Sequence, residues 1–484
     1  MFSKIKQFLF ENRSQKQTIA KNTVWLFSGQ IGGRLLRTAL VIFAARILGP
    51  ESWGAFSYAT TLVAFLLIFS DIGISAIVTR ESARDITASN RYFSTAFFLK
   101  SGLLVVCGAA LMFLSPYLTT IPETRALLPI IALLLIFDSL RNFGFAISRA
   151  MESMQWEALN EILTNAFITG VGFYALLKSP TSTSLAYAYV IGTGIGLLFI
   201  LAVMWRYVTT LISHFDASLI KPILSSSLPF AFASFLGAIM INTDLIMLGW
   251  MRTPAEIGYY SAAQKPIQLL YTLAALFAAS MFPVLSKLSS DEHTPRFRSL
   301  LEKSAVASLF VAIPTAIVGL PLSTGIITLL YGAQYLPAIG SFQVLLPTLL
   351  IIFPSVIVSN ALLSRNQQKK FIQFSLIGAI GNVIFNFLLI PVWGIVGCSL
   401  STLVTQILAN AFIWNKMDSV VPFKVANKLG KILLASLISA AAVVALSPLQ
   451  WPVLVLLALA IVIYFTALII LKEPSLSFAS DLLA

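Results

Sequence analysis

Arg34 and Arg37 stand one helical turn apart inside an apolar run, and they carry the most distinctive chemistry in the chain. An ionised side chain near the centre of a bilayer costs about 2.5–3.5 kcal/mol on insertion scales, so each one needs a reason. Two guanidiniums on one helix face make a cationic wall suited to a phosphate or an acidic sugar, because each offers a planar two-bond contact. The alternative is that Asp71, on the following helix, neutralises them and ties the two helices together. Two cations against one acid leave positive charge over, which favours the cavity wall.

Four further charges fall inside apolar runs. Asp138 and Arg141 are three apart on one helix, the spacing of a local salt bridge. Asp244 and Lys265 fall at similar depths in consecutive helices and can pair, either as a gate opened when substrate phosphate competes for Lys265 or as a staple. The candidate substrate-binding residues are therefore Arg34, Arg37 and Lys265, with Asp71, Asp138, Arg141 and Asp244 as coupling or gating groups. Glu157 and Glu161 open a helix, where its dipole favours acid; proton or cation coupling is their other use. Cys107 and Cys398 lie in separate apolar runs and read as free buried thiols, while His214 and His293 sit in polar loops. Neither a metal site nor a cofactor is expected from such a set.

The elements that position these residues are membrane helices. At 58% hydrophobic and 11% charged over 484 residues, the chain lies far from the soluble range of roughly 25% charged. Its mean hydropathy is +0.89. Apolar runs recur about fourteen times, each long enough for a hydrocarbon core of about 30 Å. The fold class is all-α and polytopic. With a cytoplasmic amino terminus, about 23 of the 32 Lys and Arg fall inside, whereas Arg46, Arg125, Lys178 and Arg252 fall outside. Both termini are expected in the cytoplasm. The net charge of +13 is then topology; a nucleic-acid binder would gather its basic residues on one solvated face.

Residues 1–21 form a basic, mildly amphipathic leader lying on the membrane, with no signal-peptide cleavage pattern. Residues 22–206 make a first six-helix lobe, 207–222 a cytoplasmic linker, 223–415 a second lobe, and 416–484 two more helices and a tail. The lobes are linked by an internal repeat: Leu48, Gly49, Glu51, Gly54, Ser57 and Ala59 find partners in Leu248, Gly249, Glu256, Gly258, Ser261 and Ala263. Its glycines suit tight turns and its glutamates can cap the next helix. Pseudo-symmetric lobes imply a site near the midplane and alternating access by rocking. Prolines 229, 266, 283, 314, 347 and 354 are expected to kink the second lobe. The last two helices are an appendage, for packing or as a wall for a lipid tail.

Loops this short hold no catalytic domain, and the longest outer one, 321–337, has no charged residue, which argues against a membrane-embedded glycosyltransferase or polymerase. No Gly-rich phosphate loop with its Lys and Ser/Thr occurs, so ion or substrate gradients, or another chain, must supply energy.

Several stretches resemble the multidrug/oligosaccharidyl-lipid/polysaccharide exporters, and among them the Wzx-type oligosaccharide flippases. They are Asn22 and Trp25, RILGPESWG from Arg46 to Gly54, Asp71-Ile72-Gly73 leading to Thr79-Arg80-Glu81, Asp244 followed by EIGYYSAAQK at 256–265, and IPVWGIVGCSLST at 390–402. The resemblance implies a flippase that moves undecaprenyl-diphosphate-linked oligosaccharide to the outer leaflet of the bilayer for polysaccharide or O-antigen synthesis. It further implies coupling to protons or sodium, and a polysaccharide polymerase with its chain-length machinery as partners. Within the same superfamily, a lipid II flippase and a cation-coupled multidrug exporter are the alternatives; the exporter would prefer an acidic cavity to this Arg-rich first helix.

Overall fold

The computed structural model describes residues 15–85 and 87–473. Most of the expected leader (1–14) and most of the expected tail (474–484) lie outside the described residues. Gln15–Phe69 (α1) runs 55 residues but turns at Gly49, whose φ of 75° is a left-handed conformation that glycine adopts without penalty. Pro50 then starts the second arm, where a missing N–H costs nothing. A later 51-residue helix, Gln368–Asp418, turns in the same way at Gly394, with φ 56°.

Among the described residues ten helices are long and apolar enough to cross a membrane, or eleven when the bent pair Ala333–Leu345 and Thr348–Ser364 counts as one span. Each kinked helix has length for two passes at about 20 residues per crossing. Met154–Lys178 is also long enough, at 25 residues, though Glu157, Asn160, Glu161 and Asn165 make it less apolar. The chain is a multi-pass, all-helical membrane protein with close to the expected number of spans.

Packing divides it into two units, Met1–Gly258 and Tyr259–Ala484. In the first, α1 is followed by Ile74–Arg84 (α2), Ser89–Phe113 (α3), Pro122–Ala150 (α4), Met154–Lys178 (α5), Ser182–Val203 (α6) and Ile220–Met251 (α7). Gly29 lies against Ala158 and Gly33 against Asn165, so α1 and α5 approach through small residues, the usual device where lipid supplies no hydrophobic drive. Ile74, Val78, Phe93, Phe143, Ile147 and Ile200 form a core joining α2, α3, α4 and α6. The linker is docked on α3: the Ser94 hydroxyl donates to the Leu211 carbonyl, and Arg91 pairs with Asp216. Hydrogen bonds from Ser218 and then from Arg91 hold the Asp216 carboxyl at about 2.

Two local expectations are corrected. Hydropathy predicts one continuous span over 55–79, but the helix ends at Phe69, turns through Ile72 (φ 40°) and Gly73 (φ 80°), and restarts at Ile74. Hydropathy runs unbroken across the turn, so an apolar window cannot register it. In the second copy of the repeat, Gly249 is not at the turn; it is helical and faces the ring of Tyr58. That turn is made at extended Arg252, and Thr253 with Glu256 forms the expected cap, the Thr253 N–H donating to Glu256 Oε2 at 3.1 Å. The glycines that do match, Gly54 and Gly258, bring the two copies together: a Cβ on Gly54 would sit 1.8 Å from the Pro254 carbonyl oxygen, and one on Gly258 would sit 1.9 Å from that of Pro50.

Most of Pro254–Lys287 (α8) belongs to the second unit, with Thr294–Tyr331 (α9), Thr348–Ser364 (α10), Gln368–Asp418 (α11), Gly430–Leu446 (α12) and Val453–Ile470 (α13). Pro229, Pro266, Pro283, Pro314 and Pro354 lie inside helices, and Pro347 precedes α10. The last two helices are tied to α9 by Val318, Leu322, Val443, Leu456 and Ala460 and by the Tyr464 hydroxyl, which donates to the Phe310 carbonyl at 2.8 Å. Near the start of α9, Glu302 accepts from Lys428 (2.7 Å), from Arg298 (3.0 Å) and from the Lys424 N–H (2.9 Å), pinning the chain that leads into α12. Between α9, α10, α11 and α12 lies an almost wholly apolar groove of about 510 Å³, lined by Ile313, Pro354, Trp414 and Leu433 among others.

Candidate substrate-binding site

The break after Phe69 makes a cavity. Asp71 and Gly73 on the turn, Ser75 and Thr79 on α2, Lys100 on α3, Asn142 on α4 and Phe230 on α7 surround about 570 Å³. Lys100 is 1% exposed, whereas Asp71 is 28% exposed. The Lys100 ammonium and the Ser75 hydroxyl both donate to Asp71 Oδ1, and the ammonium lies 3.4 Å from the Ser75 oxygen. A buried ammonium is tolerable only with such a partner, because its desolvation costs several kcal/mol. Arg149, at the end of α4, reaches the same cavity and places both fork nitrogens on Glu157, the Nε–Oε2 distance being 2.7 Å. Ser139 shares a 2.9 Å hydrogen bond with Ser70, and the Thr79 hydroxyl donates to the Ala146 carbonyl at 3.1 Å.

This arrangement replaces the Asp71 pairing considered from the sequence. The partner is Lys100, not Arg34 or Arg37. Lys100 was missed among the intramembrane charges, although it stands alone in the apolar run of α3 and should have been found by that test. Glu157, expected only as a dipole-favoured acid, is paired with Arg149 across the α4–α5 corner.

Beside the cavity, Asp138 and Arg141 form the local salt bridge expected from their spacing, at 2.6 Å. Arg141 also reaches Glu161 at 3.4 Å and lies over the Phe145 ring. Asn160, within 3.4 Å of Arg141, donates to the Gly196 carbonyl at 2.6 Å. The result is a charged network that links α4, α5 and α6 through the protein interior.

Arg34 and Arg37 are both exposed on the first arm of α1, and the Arg37 guanidinium lies 5.2 Å from the centre of the Tyr189 ring. Asp244 is buried on α7, in the first unit, and Lys265 half-buried on α8, in the second. Cys107 and Cys398 are both buried thiols outside any disulfide. Among the described residues no group of three or more His, Cys, Asp or Glu could hold a metal ion.

A family profile described as polysaccharide biosynthesis protein matches residues 19–289. The capsular polysaccharide biosynthesis protein CapF of Staphylococcus aureus is 23% identical over 406 residues, covering 81% of this chain and 97% of that protein. The probable flippase AglR of Haloferax volcanii is 22% identical over 415 residues, covering 81% and 82%. In fold, the chain is similar to the lipid II flippase MurJ in its inward closed conformation, with a TM-score of 0.76 at 20% identity over 94% of this chain and 99% of that one. AglR and MurJ are described as flippases, which are transporters and not enzymes.

Proposed function

The chain belongs to the polysaccharide biosynthesis protein family, and we propose that it is a flippase carrying undecaprenyl-diphosphate-linked oligosaccharide from the cytoplasmic to the outer leaflet of a bacterial inner membrane. The observation that carries this reading is the exposure of Arg34 and Arg37, which are the two charges on the arm between Lys21 and Arg46. A guanidinium facing acyl chains near the bilayer centre costs about 2.5–3.5 kcal/mol on insertion scales, which favours a hydrated path for both, where they meet the pyrophosphate of the cargo. The apolar groove against α12 supports the same reading, since it offers a lipid tail a wall. An ion gradient, of protons or sodium, supplies the energy, with Asp138, Arg141 and Asp244 as coupling groups and Lys265 as a second anion contact.

Deleting the gene should accumulate a lipid-linked oligosaccharide on the cytoplasmic face. Arg34→Gln or Arg37→Gln should keep normal abundance and cut export at least about tenfold, whereas either Lys variant keeps partial export, because charge survives without the planar contact. Export at the parental level in both Gln variants would remove these residues from the cargo path.

Both termini are cytoplasmic in this reading. Single cysteines at the exposed positions Thr183 and Gln334 should react with an impermeant thiol reagent applied to intact cells, and those at Ser290 and Asn366 should not. Labelling of Ser290 from outside would invert the proposed orientation.

A further inference from the structure

The cavity of the first unit offers a different chemistry from Arg34 and Arg37. Its two cations are already committed: Lys100 is almost wholly buried on Asp71 and Ser75, and Arg149 spends both fork nitrogens on Glu157. A phosphate entering here meets each cation already neutralised by a carboxylate: Lys100 could be won only by breaking a buried pair, and the exposed Arg149 offers only its remaining Nη1 edge beside the charge of Glu157. What the cavity does offer is neutral and two-sided. Both bonds to Asp71 fall on Oδ1, leaving Oδ2 as an acceptor. Asn142 is exposed, lines the cavity and makes no hydrogen bond to the described residues, so its amide presents donors and an acceptor together. The Ser234 hydroxyl on α7 is in the same position, and Phe145 and Phe230 supply apolar faces. Acceptors, donors and ring faces around about 570 Å³, well inside the roughly 300–1,000 Å³ of small-molecule pockets, match a polyhydroxylated ring.

We infer that this cavity binds an uncharged glycosyl residue of the cargo, with Asp71, Asn142 and Ser234 as the residues that set which sugar is accepted. The inference rests on the flippase reading and adds a division of labour to it: the arginines of α1 take the diphosphate, and the cavity takes sugar hydroxyls. Fixing Asp71 through Lys100 and Ser75 gives the acceptor one orientation, so a hydroxyl of the wrong stereochemistry leaves Oδ2 or the Asn142 amide unpaired, the device by which polar sites discriminate most strongly.

The test uses the purified full chain in lipid nanodiscs, titrated calorimetrically with N-acetylglucosamine, glucose, glucuronate and inorganic pyrophosphate. At least one neutral sugar should bind saturably below about 100 mM, and neither glucuronate nor pyrophosphate should displace it. Asn142→Ala and Ser234→Ala each remove a side chain that bonds nothing in the protein, so they should fold normally and weaken the sugar about tenfold. Displacement by pyrophosphate, unchanged affinity in both variants, or no saturable sugar binding would each overturn the inference. Export in cells separates it from the reading beneath it. If Asn142→Ala and Ser234→Ala export normally while Arg34→Gln does not, the sugar site is wrong and the flippase stands. If gene deletion accumulates no lipid-linked saccharide, the flippase reading itself fails.

Discussion

Asp71→Asn should deplete the protein from the membrane more severely than Lys100→Met, and the double variant should recover most of the loss. Removing one partner of a buried ion pair costs about 3–5 kcal/mol, because the other charge stays behind without compensation. Exposure decides the order of the two variants. Lys100 is 1% exposed, so the ammonium stranded by Asp71→Asn keeps only neutral acceptors, the new amide oxygen and the Ser75 oxygen, whereas Asp71 is 28% exposed and a stranded carboxylate can draw water from the cavity. With both changes made, a neutral amide faces a methionine, and no charge remains to be solvated. Membrane abundance and melting in detergent, measured on both single variants and the double, check the ordering and the recovery. A double variant no better than the worse single would mean that packing, not charge balance, holds this corner.

Gly54→Val and Gly258→Val should also deplete the protein severely, but without any recovery when combined. The obstacle to a side chain at each position is backbone of the other repeat copy, the Pro254 oxygen in one case and the Pro50 oxygen in the other. Backbone at under 2 Å cannot rotate away as a flexible side chain would, so the helix starts must separate. Both clashes fall at one contact between the same two helix starts, so the double variant is expected to be no better than the worse single. Even Gly54→Ala should lower abundance several-fold, roughly a 1–3 kcal/mol effect of overpacking. Parental abundance of Gly54→Ala in quantitative blots would show that this approach is looser than the geometry requires.

The difference between those two predictions also marks what was legible in the sequence. Class and approximate span number followed from the length and spacing of apolar runs, since a bilayer imposes those directly. The Asp138–Arg141 bridge followed from a three-residue spacing on one helix. The repeat was visible at Gly54 and Gly258, although what the glycines do, permitting close approach instead of a positive φ at both copies, was not. Partnerships between helices were the least legible. Asp71 was offered the nearest charges in the preceding helix, yet the break at Ile72–Gly73 swings it toward α3, and hydropathy contains no record of that turn. Arg149 and Glu157 are eight residues apart across the α4–α5 corner, and their pairing depends on its backbone path.

The committed charges around the cavity also bear on how the carrier meets the membrane voltage. Lys100 with Asp71, and Arg149 with Glu157, each sum to zero. A wall built from such pairs transfers no net charge when it moves through the transmembrane field, where each elementary charge is worth about 2.3 kcal/mol per 100 mV. The resting potential therefore neither opposes nor drives displacement of the sugar-facing wall. Voltage enters the cycle through Arg34, Arg37, the diphosphate they are proposed to meet, and any ion that travels with it, so the rate of export should become voltage-independent to the extent that those charges cancel.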